Sequence, residues 1–269
     1  MIKSVIENYS VNEVTNIFSS YDICRLNTYR SREEKLSRIY IKQFGDTYCT
    51  LFTDVGYFNY VHNFNEDSLL YFDEIVEFYK KHNLDFKVLV PDLKEFQKVN
   101  NWIKKRGKLI ERRGILSVKM DNLIIYQEEK TIHQMCWVDK NNIHDFINTY
   151  LLAFRGNITN FEEVFANMKL LLKVPDINLY LIKENNVYVG VGVLYIQNDI
   201  AFLAGGATIE SYRENGAHMF SLNFRIQKAK QLGAKIVSSW APQNETSFNN
   251  MKTVGLEHLF TTNVYQIIT

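Results

Sequence analysis

Residues 204–224 read AGGATIESYRENGAHMFSLNF, and this stretch decides how the second half of the chain folds. Two consecutive glycines, Gly205 and Gly206, favour a bulged strand that another backbone can approach closely. A polar turn with Gly216 follows, and the apolar spacing after it predicts a helix. The first N–H groups of a helix lack intrahelical acceptors, so this start is suited to bind a pyrophosphate, with Arg213 as a nearby cation. A plain connection between a strand and a helix is the alternative.

The elements around this stretch repeat an order found earlier in the chain. A helix, a buried strand, a proline, a second helix, a glycine and a last strand occur twice, with Pro91 and Gly107 in the first copy and Pro242 and Gly255 in the second. Such a repeat indicates an internal duplication, and two unrelated α/β halves are the alternative. We therefore predict a mixed α/β chain with domains at residues 1–127 and 128–269, packed against each other.

The other segments follow from hydrophobic periodicity. The spacing predicts helices at residues 4–18, 67–83, 92–107, 141–154 and 161–174. Aromatic and β-branched residues predict antiparallel strands at 37–64 and 177–208, single strands at 86–91, 112–120, 234–240 and 258–268, and a strand that opens the second half near residue 133.

Composition restricts the class of protein. The 269 residues carry a formal net charge of +1, which argues against binding to nucleic acid or to an anionic membrane. Three widely spaced cysteines predict neither a disulfide nor a zinc site, and the histidines lack metal-ligand spacing, so no metal is expected. No apolar run is long enough for a signal peptide or a membrane span, which predicts a cytoplasmic protein.

Two segments resemble motifs of the GNAT (GCN5-related N-acetyltransferase) family. RENGAH, at residues 213–218, is similar to the acetyl-CoA loop Arg/Gln-x-x-Gly-x-Gly/Ala, except that His218 replaces a small residue. Residues 244–256 resemble Asn-x-x-Ala-x-x-x-Tyr-x-x-x-Gly-Phe, with Ser247 at the small position, Met251 where many members have a tyrosine, and Leu256 at the aromatic position. The resemblance implies two tandem GNAT-like domains, each a mixed, mostly antiparallel sheet flanked by helices.

The resemblance also implies a site for acetyl-CoA in the second half. The residues expected to hold this cofactor are Gly206, Ala207, Thr208, Ile209, Arg213, Glu214, Asn215, Gly216, Ala217, His218, Met219, Asn244, Ser247 and Asn250. The main chain near Thr208 is expected to hold the thioester oxygen. Glu210 is the candidate base, and a solvated loop carboxylate is its alternative reading. Glu162 and Glu163 could attract a cationic substrate or could simply be solvated.

The first half lacks the loop. Its counterpart, NFNEDSL at residues 63–69, has neither the glycine nor the basic residue, so we expect a degenerate domain without a cofactor. The predicted activity is acetyl transfer to a primary amine of a small molecule by a monomer or homodimer. An amine-rich antibiotic is one candidate, since tandem proteins of this kind include self-resistance enzymes of the zwittermicin and paenilamicin type. A protein or peptide amine, or a non-catalytic acyl-CoA sensor, are the alternatives.

Overall fold

The computed structural model describes residues 9–123, 132–155 and 160–269. Its helices are α1 Val11–Tyr29, α2 Phe72–Lys80, α3 Gln97–Ile103, α4 Ile143–Ala153, α5 Phe161–Met168, α6 Ala217–Gln231 and α7 Thr246–Thr253. Its strands are β1 Ile39–Phe44, β2 Thr47–Phe52, β3 Tyr60–His62, β4 Phe86–Pro91, β5 Lys108–Lys119, β6 His133–Trp137, β7 Ile177–Glu184, β8 Val187–Gln197, β9 Ile200–Thr208, β10 Ile236–Pro242 and β11 Glu257–Ile267.

These strands form one sheet in the order β1-β2-β3-β4-β11-β5-β10-β9-β8-β7-β6. The last strand of each half lies in the sheet of the other half: β5 pairs with β10, and β11 pairs with β4, both antiparallel. The two exchanged strands also pair with each other along most of their length. The halves are therefore joined through their backbones, whereas the sequence predicted only packing between them.

The predicted order of elements is present in both halves. α2, β4, α3 and β5 in the first half correspond to α6, β10, α7 and β11 in the second. The proposed boundary between residues 127 and 128 lies outside the described residues. Within residues 9–123, 132–155 and 160–269, no helix has the length and apolar character required to cross a membrane.

A gap opens in the sheet between β9 and β10. These parallel strands are paired only from Ile200 to Phe202, against Ile236 to Ser238, although β9 continues to Thr208. Beyond Phe202, no strand within residues 9–123, 132–155 and 160–269 pairs with this edge of β9. β3 and β4 show the same behaviour in the first half, where only Tyr60 and Val61 are paired.

A bulge and a buried arginine shape β9 beside the gap. Gly205 and Gly206 form the extra segment opposite β8, and Gly205 has φ +48, a left-handed conformation that glycine adopts without strain. Arg225 of α6, 1% exposed, donates from Nη1 to the carbonyl oxygens of Val193 and Ala204 at 2.9 and 2.8 Å. A Cβ at Gly206 would lie 2.8 Å from Arg225 Nη2, so the arginine requires glycine there.

The largest hydrophobic core cluster spans both halves. Val14 and Ile17 of α1 pack in the same cluster as Ile147 of α4 and Phe202 of β9. A salt-bridge cluster also joins the halves, because Glu163 of α5 contacts Arg32 at 3.1 Å and Lys35 at 2.7 Å. We infer that the halves unfold together.

Replacing Gly114 tests this coupling. Gly114 lies on β5, and a Cβ there would be 2.2 Å from the ring of Phe248 on α7 of the other half. We expect Gly114→Ala to destabilise the whole chain by about 1–3 kcal/mol in one transition, because a buried ring must shift. Chemical denaturation followed by circular dichroism and fluorescence measures this. Gly56→Ala is the control, since no heavy atom lies within 4 Å of its added Cβ; two separate transitions would contradict the coupling.

Candidate functional site

The loop between β9 and α6 has the backbone conformation of an anion site. Gly216 is the N-cap with φ +85, and since it has no side chain, the N-cap position supplies no side-chain cap to the helix start. The first hydrogen bond of the helix runs from Phe220 N–H to the Gly216 carbonyl, so the N–H groups of Ala217, His218 and Met219 belong to the first turn that has no intrahelical acceptors. This end of α6 therefore offers donors to an anion.

The predicted side chains of this loop are mostly exposed. Arg213, Glu214 and Asn215 are exposed, and Arg213 Nε donates to the carbonyl of Thr208 at 3.2 Å. Gly206, Ala207 and Ile209 are partly exposed along the free edge of β9. Thr208 is buried, and its Oγ1 has no hydrogen-bond partner in the part of the chain that the structure describes. A ligand beside β9 would supply partners for these polar groups.

The second predicted segment lies next to the first. Asn244 is exposed and adopts φ +68 in the turn before α7, while Ser247 and Met251 line the cavity described below. Asn250 Nδ2 and His218 Nδ1 are 3.0 Å apart, which connects α7 to the first turn of α6. The structure thus brings the two sequence motifs together across the gap.

A cavity of about 580 Å³ opens from the gap toward the first half. One end is formed by Gly205, Gly206 and Arg225, and Ser247 and Met251 also line it. The opposite wall comes from α1, β3 and β5 of the first half, with Arg25, His62 and Arg113 among its residues. The cavity is large enough for a small molecule, and both halves build it.

The first-half wall combines arginines with aromatic rings. The guanidinium of Arg113 lies 4.0 Å from the ring centroid of Trp240, and its Nη2 donates to Tyr60 Oη at 2.7 Å and to Glu111 at 2.9 Å. The guanidinium of Arg25 lies 4.3 Å from the ring centroid of Tyr21.

Asp22 lies between this arginine and a histidine. Its carboxylate is paired with Arg25, and its Oδ2 is 3.9 Å from His62 Nε2. Sequence reasoning missed this wall, because an arginine on a helix or strand gives no sign of burial until the packing of that element is known.

The carboxylates predicted from sequence lie elsewhere. Glu210 is exposed, accepts a hydrogen bond from Arg155 at 2.6 Å, and is not among the cavity-lining residues that the structure describes. Its role as base therefore stays a prediction. Glu162 is exposed, and Glu163 forms salt bridges with Arg32 and Lys35.

The corresponding loop of the first half is closed by its own side chains. The N–H of Asn65 donates to Ser68 Oγ at 2.8 Å, and the N–H of Ser68 donates to Asn65 Oδ1 at 3.1 Å. A short 3₁₀ helix, Asp67–Tyr71, follows where the second half has the glycine-led start of α6. The donors that would face an anion in this half are thus partly satisfied within the loop.

The buried His62 generates a pH dependence of stability. Burial lowers its pKa from 6.5 to about 4, so between these values the unfolded chain binds a proton that the folded chain does not. Stability is then highest above pH 6.5 and falls as the pH drops toward 4, by about 1.4 kcal/mol per pH unit from this group. Denaturation at a series of pH values should show a shallower decline between pH 6.5 and 5 for His62→Gln. An unchanged slope in that variant would refute the assignment.

Solved structures with the same fold include GNAT acetyltransferases. A GCN5-related N-acetyltransferase from Kribbella flavida superposes with a TM-score of 0.66 at 13% identity, over 91% of this chain and 96% of that chain. One from Sphaerobacter thermophilus gives 0.60 at 11% identity, over 77% and 71%. A tandem GNAT protein from the clavulanic acid biosynthesis pathway gives 0.59 at 8% identity, over 82% and 77%.

No protein-family model matches the chain, and no curated protein sequence does. The comparisons therefore concern the fold. The predicted fold class is confirmed, since the chain is a mixed α/β protein with a large sheet flanked by helices and has the GNAT fold.

Proposed function

We propose that this protein is an N-acyltransferase that takes acetyl-CoA in its second half and transfers the acetyl group to a small-molecule amine. One observation carries the proposal: the uncapped, glycine-led start of α6 lies at the end of β9, the strand whose edge is free beside a cavity. A ligand with a pyrophosphate at one end and an extended amide-containing arm matches this combination of an anion site and a strand edge.

The residues present fit such a ligand. The N–H groups at the start of α6 and the Arg213 side chain would hold the pyrophosphate, and the edge of β9 near Gly206 and Thr208 would pair with the arm. Asn244 and Ser247 would contact the arm from the side of α7. Bound acetyl-CoA supplies an acyl group activated as a thioester. A main-chain N–H near Gly206 to Thr208 would then stabilise negative charge on the thioester oxygen.

The proton chemistry needs little from acidic side chains. Burial lowers the pKa of Arg225 to about 10, so this arginine is still a cation at neutral pH. Buried cations disfavour protonation of an amine bound beside them, which favours the neutral, nucleophilic form. Met251 faces the cavity at the position of the tyrosine in the family pattern. The thiolate can leave without that acid, because an ordinary thiol pKa is only about 8.5, and the proton that the amine loses on forming the amide passes through water to this thiolate.

The cavity favours some acceptors over others. A small molecule fits a recess enclosed by both halves, whereas a folded protein surface would reach it only through an extended tail. An amine-rich antibiotic, the finer expectation from sequence, would bring several ammonium groups beside Arg25, Arg113 and Arg225. We therefore propose a small-molecule amine as the acceptor.

Turnover tests the activity directly. We expect the full chain with acetyl-CoA and a panel of small amines to release free thiol, and mass spectrometry to detect an amine that gains one acetyl group. Binding of acetyl-CoA without thiol release across the panel would instead favour the acyl-CoA sensor, for which the absence of a tyrosine at Met251 is the supporting feature.

Replacing Gly216 tests the cofactor site. We expect Gly216→Glu to weaken acetyl-CoA binding by more than about tenfold, because the carboxylate would occupy the anion site and repel the pyrophosphate. Isothermal titration calorimetry measures the affinity. Gly233→Glu is the matched control, since Gly233 has nearly the same left-handed φ, +86 against +85, at the other end of α6. Equal affinities of Gly216→Glu and Gly233→Glu would place the cofactor elsewhere.

A further inference from the structure

The cavity wall is richer in buried cations than in anions. Arg25, Arg113 and Arg225 line it and are 7%, 8% and 1% exposed, whereas Asp22 is the only carboxylate among the lining residues that the structure describes. Burying a guanidinium is costly unless its charge and donors are satisfied. Arg113 is also paired with Glu111, so two carboxylates face these three arginines. The arginines therefore carry one positive charge more than those carboxylates balance.

The arginines also have unused donors. Arg25 is paired with Asp22 and Arg113 with Glu111, yet the buried Nε–H of each arginine has no hydrogen-bond partner among the described residues. Arg225 donates to main-chain carbonyls, and no carboxylate contacts it among the described residues. The Nε atoms are enclosed by protein, but both side chains line the cavity and keep an accessible part, 9% for Arg25 and 10% for Arg113. Guanidinium groups in a cavity wall suit a ligand with acceptor oxygens. A carboxylate suits them best, because it accepts from a planar guanidinium fork.

Aromatic rings surround the two first-half arginines. Tyr21 and Phe58 lie under Arg25, with ring centroids 4.3 and 4.6 Å from its guanidinium carbon, and Trp240 lies 4.0 Å from that of Arg113. All three rings line the cavity. The group next to the carboxylate would therefore lie among flat apolar surfaces, which favour an aromatic or apolar body.

The three arginines come from different elements of the cavity lining. Arg225 lies at the Gly206 bulge, where the acyl group would be held, whereas Arg25 and Arg113 belong to the first-half wall. The carboxylate that contacts the first-half arginines thus belongs to the acceptor and not to the acyl group.

We propose that the acceptor is a small amine that also carries a carboxylate on an aromatic or apolar body, with the carboxylate held by Arg113 and Arg25. This inference rests on the proposed acyltransferase function. Arg113 reaches the site because β5 is exchanged: it lies opposite Pro242 of β10 on one side and Thr262 of β11 on the other. The first half therefore supplies acceptor recognition, while the second half supplies the cofactor site.

The test compares probes that differ only in the acidic group. With wild-type protein and acetyl-CoA, we expect kcat/KM for phenylalanine to exceed that for phenethylamine and for phenylalaninamide by about tenfold to a hundredfold, the value of hydrogen bonds to a charged group. Thiol release gives the rates, and mass spectrometry identifies the acetylated product. Equal rates for the three probes, or a preference for the uncharged ones, would overturn the proposal.

A pair of adjacent arginines supplies the variant and its control. We expect Arg113→Gln to raise KM for phenylalanine by about tenfold or more and to change KM for phenethylamine severalfold less, because phenethylamine loses only the effect of the buried charge on its amine. Arg112→Gln should leave both unchanged, because the side chain of Arg112 is 51% exposed and pairs with Asp92 at the surface. Thermal melting establishes that both variants are folded. If Arg113→Gln does not fold, the wild-type comparison of probes still decides the matter.

Binding experiments keep this inference distinct from the proposed function. N-acetylphenylalanine, which cannot be acetylated again at its amine, should bind the wild type measurably more tightly than its amide by calorimetry. If the protein binds acetyl-CoA but binds N-acetylphenylalanine no more tightly than the amide, the acceptor proposal alone is wrong. If it binds N-acetylphenylalanine more tightly but does not bind acetyl-CoA, the proposed function is wrong. A last experiment measures turnover with succinyl-CoA in place of acetyl-CoA. If succinyl-CoA reacts faster than acetyl-CoA and Arg113→Gln removes this difference, the carboxylate belongs to the acyl group and the acceptor proposal fails.

Discussion

The antiparallel pairing of β5 with β11 joins the sheets of the two halves, and the position of every other strand depends on it. Each of these strands ends its own half in sequence and lies in the sheet of the other half, so the two sheets become one. Main-chain hydrogen bonds run across the junction, and neither half can complete its sheet alone. The pairing of β5 with β10 places Arg113 beside Trp240 of the second half. The cavity between the halves is therefore a direct consequence of backbone pairing, with side-chain packing added to it.

A second constraint shapes the side of the cavity where we propose that the cofactor binds. β9 bulges at Gly205 and Gly206 and separates from β10, which leaves polar main-chain groups without strand partners. The buried guanidinium of Arg225, on α6, donates to the carbonyls of Val193 and Ala204 and so stabilises the bulge. The opposite edge of β9 stays available to a ligand. One arginine thus stabilises the distortion that the proposed site requires and adds charge to its wall.

The positive charge of this wall has a chemical consequence for the proposed reaction. An amine must be neutral to attack a thioester, and a cavity with three buried arginines disfavours the ammonium form. The same charges attract an acidic group on the acceptor. The positive charge of the wall would then both bind the acceptor and activate its amine. A carboxylate base such as Glu210, which lies at the surface, would not be required for this activation.

The sequence by itself determined the order of helices and strands, the fold class and the two motifs of the second half. Local patterns suffice for these features, because hydrophobic periodicity and glycine positions act within one element or one turn. The helix start after Gly216 and the position of Met251 follow in this way.

Only the tertiary structure decided which strands pair and which side chains meet. The repeat in the sequence does not predict strand exchange. β5 and β11 are the last strands of their halves, and the hydrophobic pattern of each would allow pairing with either β4 or β10. The burial of Arg113 depends on those pairings, and that of Arg225 on the bulge of β9 against β8. The charge of a cavity is a property of residues far apart in the chain, and only packing brings them together.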